Sequence, residues 1–284
     1  MNYVDVFYRS DDGLKLYTRD YPGPTANASA VLCLPGLTRN SKDFAKLAEK
    51  LQCTYRVLCP DQRGRGRSDH DTDAGRYRPD RYAQDMITLL DLLGIQEVVI
   101  IGTSLGGMMA IILLSMHRER IRGAVLNDMG AEIDPRGLAR IASYVGKVAP
   151  VDDWSAAAAQ TARTNGIAFP DYHEADWQAM ARDLYVQDET RPVLDYDPTI
   201  AQGISAGTAS PNLWPLFEQV GTTPLLVLRG EISDILSVET LAEMQRRLPH
   251  MVVQSIPGRG HAPTLNEPDA RVAIFDFLGT LDAD

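Results

Sequence analysis

Four branched aliphatic residues in a row, Val98-Val99-Ile100-Ile101, lead straight into Gly102-Thr103-Ser104-Leu105-Gly106. An unbroken apolar run of this kind suits a strand buried on both faces, the setting of a parallel sheet. The apolar stretch Met108 to Leu114 that follows is long enough for a buried helix. Strand, sharp turn and helix around Gly-x-Ser-x-Gly present a serine hydroxyl at the tip of the turn. Such a turn forces Ser104 into a strained backbone conformation. Gly102 and Gly106 stand where side chains would collide with the crossing strand and helix. The N–H of Leu105, at the helix start, then points at whatever Ser104 attacks. Gly-x-Ser-x-Gly by itself is common in glycine-rich turns; the flanking elements make the nucleophile reading the stronger one.

The rest of the chain is organised around that turn. Val4 to Arg9 and Leu14 to Tyr21 alternate apolar with polar about Ser10-Asp11-Asp12-Gly13, which predicts an opening antiparallel hairpin. Ala30 to Leu34 reads as a buried strand ending at Pro35-Gly36-Leu37. Phe44, Leu47, Ala48 and Leu51 recur at helical spacing, with Asn40 or Ser41 as cap. Arg56 to Asp61 reads as the next strand and Gln62 to Ser68 as a loop. Pro79 opens a helix with an apolar face of Tyr82, Met86, Leu89, Leu90 and Leu93, which Gly94 stops. A further strand contains Val125 and Leu126. Strands alternating with helices long enough for right-handed crossovers demand a parallel sheet covered on both faces.

From 131 to 215 the pattern changes: no strong strand is visible, prolines break short helical stretches, and all three tryptophans fall here. This predicts a mostly helical insertion between a core of 1–130 and its continuation over 216–284. In the latter the alternation resumes as strand 224–229, helix 238–248, strand 251–256 and helix 268–278.

At 284 residues the chain has room for one large α/β domain with an insertion. Its net charge of −10 argues against a nucleic-acid or anionic-membrane partner. The first residues lack the basic and apolar regions of a secretory signal, and no apolar run reaches membrane-spanning length. Cys33, Cys53 and Cys59 match no zinc spacing and read as reduced, mostly buried thiols, which suits a cytoplasmic protein.

A serine hydroxyl needs a base within hydrogen-bond reach and a group to orient that base. Of the five histidines, His117 sits near a helix end, His173 in the insertion, His70 in a polar loop and His250 before the last strand. His261 differs. It stands in Gly258-Arg259-Gly260-His261, just past the end of the last strand, at the sheet edge shared with the Ser104 turn. The orienting acid belongs at the same edge, where two carboxylates fit the order Ser, Asp, His. Asp234 is preferred because its strand is next in sequence to the one before His261; Asp128, after the strand that follows the nucleophile, is the alternative. The loop Pro35-Gly36-Leu37 leaves its strand at this edge, so the Leu37 N–H is the candidate partner of Leu105 in an oxyanion hole. The arginines of Arg63-Gly64-Arg65-Gly66-Arg67 lie in neither a dinucleotide fingerprint nor a P-loop, and are read as solvated or ion-paired. No cofactor or metal is implied.

These residues together resemble the α/β-hydrolase fold superfamily. Gly36, the run Asp61-Gln62-Arg63-Gly64-Arg65-Gly66-Arg67-Ser68, the Ser104 turn, Gly230 with Asp234, and Gly260-His261 carry the resemblance over about 30–130 and 220–280. The fold it implies is α/β: a mostly parallel central sheet of about eight strands, helices on both faces and a helical cap. It implies a Ser104–His261–Asp234 triad, an oxyanion hole from Leu37 and Leu105, and a small-molecule substrate. The family often has His-Gly where this chain has Pro35-Gly36, so the anchoring hydrogen bonds of that loop must differ.

The expected activity is hydrolysis of a small ester or lactone through an acyl-enzyme. Carbon–carbon bond hydrolysis, acyl transfer and haloperoxidase-type chemistry are alternatives on the same fold, as is a ligand-binding receptor without turnover. A homo-oligomer is compatible with the sequence.

Overall fold

The computed structural model describes residues 2–202 and 212–282. The opening hairpin forms as its alternation requires: β1 (Val4–Arg9) pairs antiparallel with β2 (Lys15–Tyr21), Val4 opposite Asp20 and Arg9 opposite Lys15. Then follow β3 (Ala30–Leu34), α1 (Ala45–Leu51), β4 (Arg56–Asp61), α2 (Pro79–Leu92), β5 (Val98–Thr103), α3 (Leu105–Met116) and β6 (Ile121–Asn127). Asn40 does act as a cap, accepting from the Lys42 N–H at 3.0 Å, but what it caps is a 3₁₀ turn, Ser41–Phe44, ahead of α1. Gly94, at a φ of 65°, ends the helix region after α2, as its position predicts.

Beyond β6 come α4 (Pro135–Tyr144), α5 (Trp154–Asn165), α6 (Glu174–Leu184), β7 (Tyr185–Gln187), β8 (Pro192–Leu194) and a short α7 (Trp214–Phe217). The antiparallel β7–β8 pair lies within a segment expected to be mostly helical, with no strong strand. Strands of three residues are too short to show a period of two in a sequence. Residues 203–211 of this segment lie outside the described residues. The chain then completes the sheet with β9 (Leu225–Gly230), α8 (Val238–Arg247), β10 (Val252–Ile256) and α9 (Pro268–Leu281).

Eight strands form one sheet in the order β1-β2-β4-β3-β5-β6-β9-β10. Only the β1–β2 and β2–β4 pairings are antiparallel; all others are parallel. Side chains of β3 alternate between two cores, as a pleated strand requires. Leu32 and Leu34 join Ile100, Leu126 and Val227 under α2 and α3. Val31 and Cys33 join Ile101, Val125 and Leu228 under α1 and α9. Each such buried aliphatic side chain contributes roughly 1.5–3 kcal/mol relative to exposure. Both faces are thus covered, and the long apolar runs of β3 and β5 follow from that. Of the three thiols, Cys33 and Cys59 are buried in this sheet, whereas Cys53 is exposed. Among the described residues no helix is long and apolar enough to cross a membrane.

Candidate active site

All parallel strands end on one edge, and the site is assembled there. β5 stops at Thr103, α3 starts at Leu105, and Ser104 between them adopts φ 53° and ψ −113°. A Cβ at Gly106 would collide with the Leu34 carbonyl oxygen, and one at Gly102 with the Gly106 carbonyl oxygen. The strained serine is therefore held by a strand–helix approach that only glycine permits.

His261 arrives from the loop after β10. Its Nε2 lies 2.7 Å from Ser104 Oγ and its Nδ1 lies 2.8 Å from Asp128 Oδ2. Asp128 follows β6 directly, at a φ of 54°, and is completely buried. Its Oδ1 accepts the Gly230 N–H at 2.9 Å, and its Oδ2 accepts the Ser233 hydroxyl at 2.6 Å. A buried carboxylate with every oxygen engaged is held in one orientation.

Asp234, the expected partner of His261, is not placed there. Its two oxygens accept from Arg140 of α4, Oδ2 from Nε at 2.5 Å and Oδ1 from Nη2 at 2.8 Å. Burial raises the Asp234 carboxyl, but the Arg140 hydrogen bonds and charge, helped by His261, outweigh it and hold the group below the usual carboxylate range. The correction has a topological cause. β9 lies between β6 and β10, so the His261 loop crosses over the end of β9 to reach β6. Two contacts guide it: Ile232 N–H donates to the Arg259 carbonyl at 2.9 Å, and Asn127 Nδ2 donates to the Pro263 carbonyl at 2.8 Å. Adjacency in sequence favoured Asp234; adjacency in the sheet favours Asp128. From the loop after β9 it is Ser233 that reaches the site, one residue before Asp234.

The loop Pro35-Gly36-Leu37 follows β3 and borders Ser104. Its anchors come from the arginine-rich loop after β4. Gln62 Nε2 donates to the Pro35 carbonyl at 3.3 Å and Arg65 Nε to the Leu37 carbonyl at 2.8 Å. Among the described residues the N–H groups of Leu37 and Leu105 meet no acceptor. At Leu105 this is the ordinary state of a first helical residue. Both N–H groups are thus left unpaired, one on the residue after Ser104 and one in the loop that borders it.

Of the loop expected to be solvated or ion-paired, Arg63 and Arg67 are ion-paired and two of the three arginines are buried. Arg63 and Arg65 are both 0% exposed. Arg63 is held by Asp85 at 2.7 Å, Asp71 at 2.5 Å and Asp12 at 3.0 Å. Arg65 donates Nη1 to the Arg63 carbonyl and the Tyr82 hydroxyl and packs over the Tyr82 ring. Only Arg67 is at the surface, paired with Asp5. Asn127, Ser233 and the anchors Gln62 and Arg65 carried no local signal that marked them as parts of a site. The spacing of Asp-x-Arg-Gly-x-Gly-x-Ser was visible, but not what it holds.

A cavity of about 210 Å³ opens onto Ser104. Gly36, Leu37 and His261 line it from the sheet edge; Ile141, Tyr144, Phe169, Tyr172 and Met180 line it from the 131–215 segment.

Fold and site together define a class. The sequence model of the alpha/beta hydrolase fold matches residues 29–268, and the chain belongs to this family. It is 35% identical over 264 residues to the 3-hydroxybutyrate-oligomer hydrolase of Cupriavidus necator, covering 89% of this chain and 88% of that protein. It is 26% identical over 256 residues to the 2-(acetamidomethylene)succinate hydrolase of Mesorhizobium japonicum, again with 89% and 88% covered. Among solved structures, an alpha/beta hydrolase from Novosphingobium aromaticivorans superposes with a TM-score of 0.92 at 44% identity over 98% of both chains.

Proposed function

We propose that this chain is a serine ester hydrolase for small linear esters, with Ser104 as nucleophile, His261 as base and Asp128 as the acid that orients it. One observation carries the reading: a single imidazole ring spans Ser104 Oγ at 2.7 Å and Asp128 Oδ2 at 2.8 Å, one through each nitrogen. With its Nδ1–H donating a hydrogen bond to Asp128, the ring presents an unprotonated Nε2 to the serine. Ser104 attacks the ester carbonyl as His261 takes its proton, and the oxyanion forms against the Leu37 and Leu105 N–H groups. His261 then protonates the leaving alcohol. Water, deprotonated by the same ring, releases the acid from the acyl-enzyme.

The segment 131–215 acts as the cap of this site in our reading, since Ile141, Tyr144, Phe169 and Tyr172 face the same cavity as Ser104. A linear ester is favoured over a lactone. The Cupriavidus relative, matched over 89% of this chain, is named for 3-hydroxybutyrate oligomers, which are chains of such esters. The expected result is turnover of short acyl esters and 3-hydroxybutyrate dimers, labelling by a fluorophosphonate, and loss of both in Ser104→Ala. Removal of a triad serine costs about 10⁶-fold in kcat. More than a tenth of the activity surviving in Ser104→Ala would overturn the assignment.

A further inference from the structure

Arg39 is a cation on the wall of the cavity that the hydrolytic steps do not use. Arg39 closes the turn that begins at Gly36, donating its N–H to the Gly36 carbonyl at 3.1 Å, and its side chain lines the cavity. A methyl group placed on Gly36 would lie 3.5 Å from Arg39 Cγ and 3.7 Å from Ser104 Cβ. The arginine and the serine thus leave from the same side of the loop that carries the Leu37 N–H. The guanidinium is fixed by Asp43, whose Oδ2 accepts from Arg39 Nε at 2.6 Å. Among the described residues Nη1 and Nη2 make no hydrogen bond, and the side chain keeps 21% of its exposure.

We propose that Arg39 selects anionic esters: its two Nη donors take a carboxylate on the alcohol half of the substrate, a few bonds from the scissile oxygen. This rests on the ester-hydrolase reading. The end-on pair of Nη donors matches the two oxygens of a carboxylate, and Arg presents that fork in a fixed plane. Besides His261, the other charges facing the cavity are three carboxylates and one lysine. Asp43 is engaged by Arg39 itself. Asp176 accepts the His173 N–H at 2.9 Å and caps its own helix. Asp183 is raised by burial and by Asp43, against Arg39, Lys42 and Lys46. Lys46 is the second cation on the wall. An alcohol half that is a 3-hydroxy acid carries a carboxylate for Arg39 to take, whereas a simple alkyl ester offers Arg39 nothing.

The test is a matched pair, 3-butanoyloxybutanoate and its methyl ester, which share the butanoyl ester and differ in the far charge; cleavage of the shared bond is read as released butanoate, apart from any methanol set free at the second ester. Wild type should favour the free acid at least tenfold in kcat/KM. In Arg39→Gln the acid-to-methyl-ester ratio should fall roughly 10- to 100-fold, mainly through KM, the range of a hydrogen-bonded charge. Arg39→Lys should restore part of it. An equal loss on both esters would reduce Arg39 to a structural residue and overturn the proposal. A second arm needs no variant: 3-hydroxybutyrate should inhibit wild-type cleavage of p-nitrophenyl butyrate at least tenfold more tightly than 3-hydroxybutyramide does. Equal inhibition overturns the carboxylate site. Turnover of the methyl ester without preference for the acid sinks the Arg39 proposal alone; turnover of neither sinks the hydrolase reading and the proposal together.

Discussion

Asp234 and Arg140 form a two-pronged pair, Oδ2 with Nε and Oδ1 with Nη2, that ties the loop after β9 to helix α4. Gly137, one turn earlier on α4, packs so closely against the Asp234 carbonyl that a Cβ there would collide with it. The carboxylate is therefore a fastener between the sheet edge and the first helix of the 131–215 segment, while Asp128 faces the histidine.

Asp128→Asn should be the crippling carboxylate substitution. The amide can present an N–H to His261 and trap the wrong tautomer, a change that costs about 10⁴-fold in kcat in a serine protease. The same substitution at Asp234 should cost less than about tenfold, because Asp234 touches Arg140 and not the ring. Steady-state rates of both variants on one good ester decide the matter. A near-wild-type Asp128→Asn beside an inactive Asp234→Asn would return the acid role to Asp234.

Asp234→Asn should instead appear in stability. The pair is partly buried, with side-chain exposures of 22% for Arg140 and 28% for Asp234. Its loss is expected to cost about 1 kcal/mol, the upper end for a surface-type ion pair. A double-mutant cycle with Arg140→Met, followed by urea unfolding, measures it; a coupling near zero would remove the fastener.

Arg65 should matter to rate through Leu37. Its Nε holds the Leu37 carbonyl at 2.8 Å, and thereby the neighbouring N–H donor. Arg65→Gln is expected to lower kcat by about 10²-fold, the scale for losing one oxyanion donor, with KM little changed. The measurement belongs at a temperature where circular dichroism shows the variant folded. Wild-type kcat in a folded Arg65→Gln would show that the loop holds its shape without this anchor.

The buried Arg63 cluster should contribute strongly to stability and, at its rim, to acid sensitivity. Removing Arg63 strands Asp85 and Asp71, which are 2% exposed, and breaking such a buried pair typically costs about 3–5 kcal/mol. Arg63→Met should therefore shift the urea midpoint far more than Arg67→Met at the surface. Asp12, at the rim of the cluster, gives the pH dependence. Burial opposes its charge, but hydrogen bonds from Arg63 and Ser10 and the nearby Arg76 lower it from the usual 3.8 to about 2. A depressed folded-state value means its contribution is complete above about pH 4 and is lost as pH falls towards 2. Urea midpoints at pH 5, 3 and 2 should fall more steeply for wild type than for Asp12→Asn. Parallel curves would count against this reading.

The sequence by itself determined what depends on near neighbours along the chain. The Ser104 turn is visible because its strand, its two glycines and its helix are contiguous. The strand–helix alternation follows from periodicities of two and 3.6 within single elements. The position of His261 just past the last strand suffices to bring it to the edge where Ser104 stands, because parallel strands all end on one edge. Tertiary structure decided what depends on which strand lies beside which. That β9 sits between β6 and β10 is a property of the whole sheet, and it gives His261 to Asp128 and leaves Asp234 to Arg140. The fate of the arginines is of the same kind. Arg63 and Arg65 stand in a glycine loop that reads as solvated or ion-paired, and only the packing of α2 and the opening hairpin around them supplies Asp85, Tyr82 and Asp12 to bury them. Charges enter a protein interior when partners far away in sequence meet them there, and no local pattern reports that meeting.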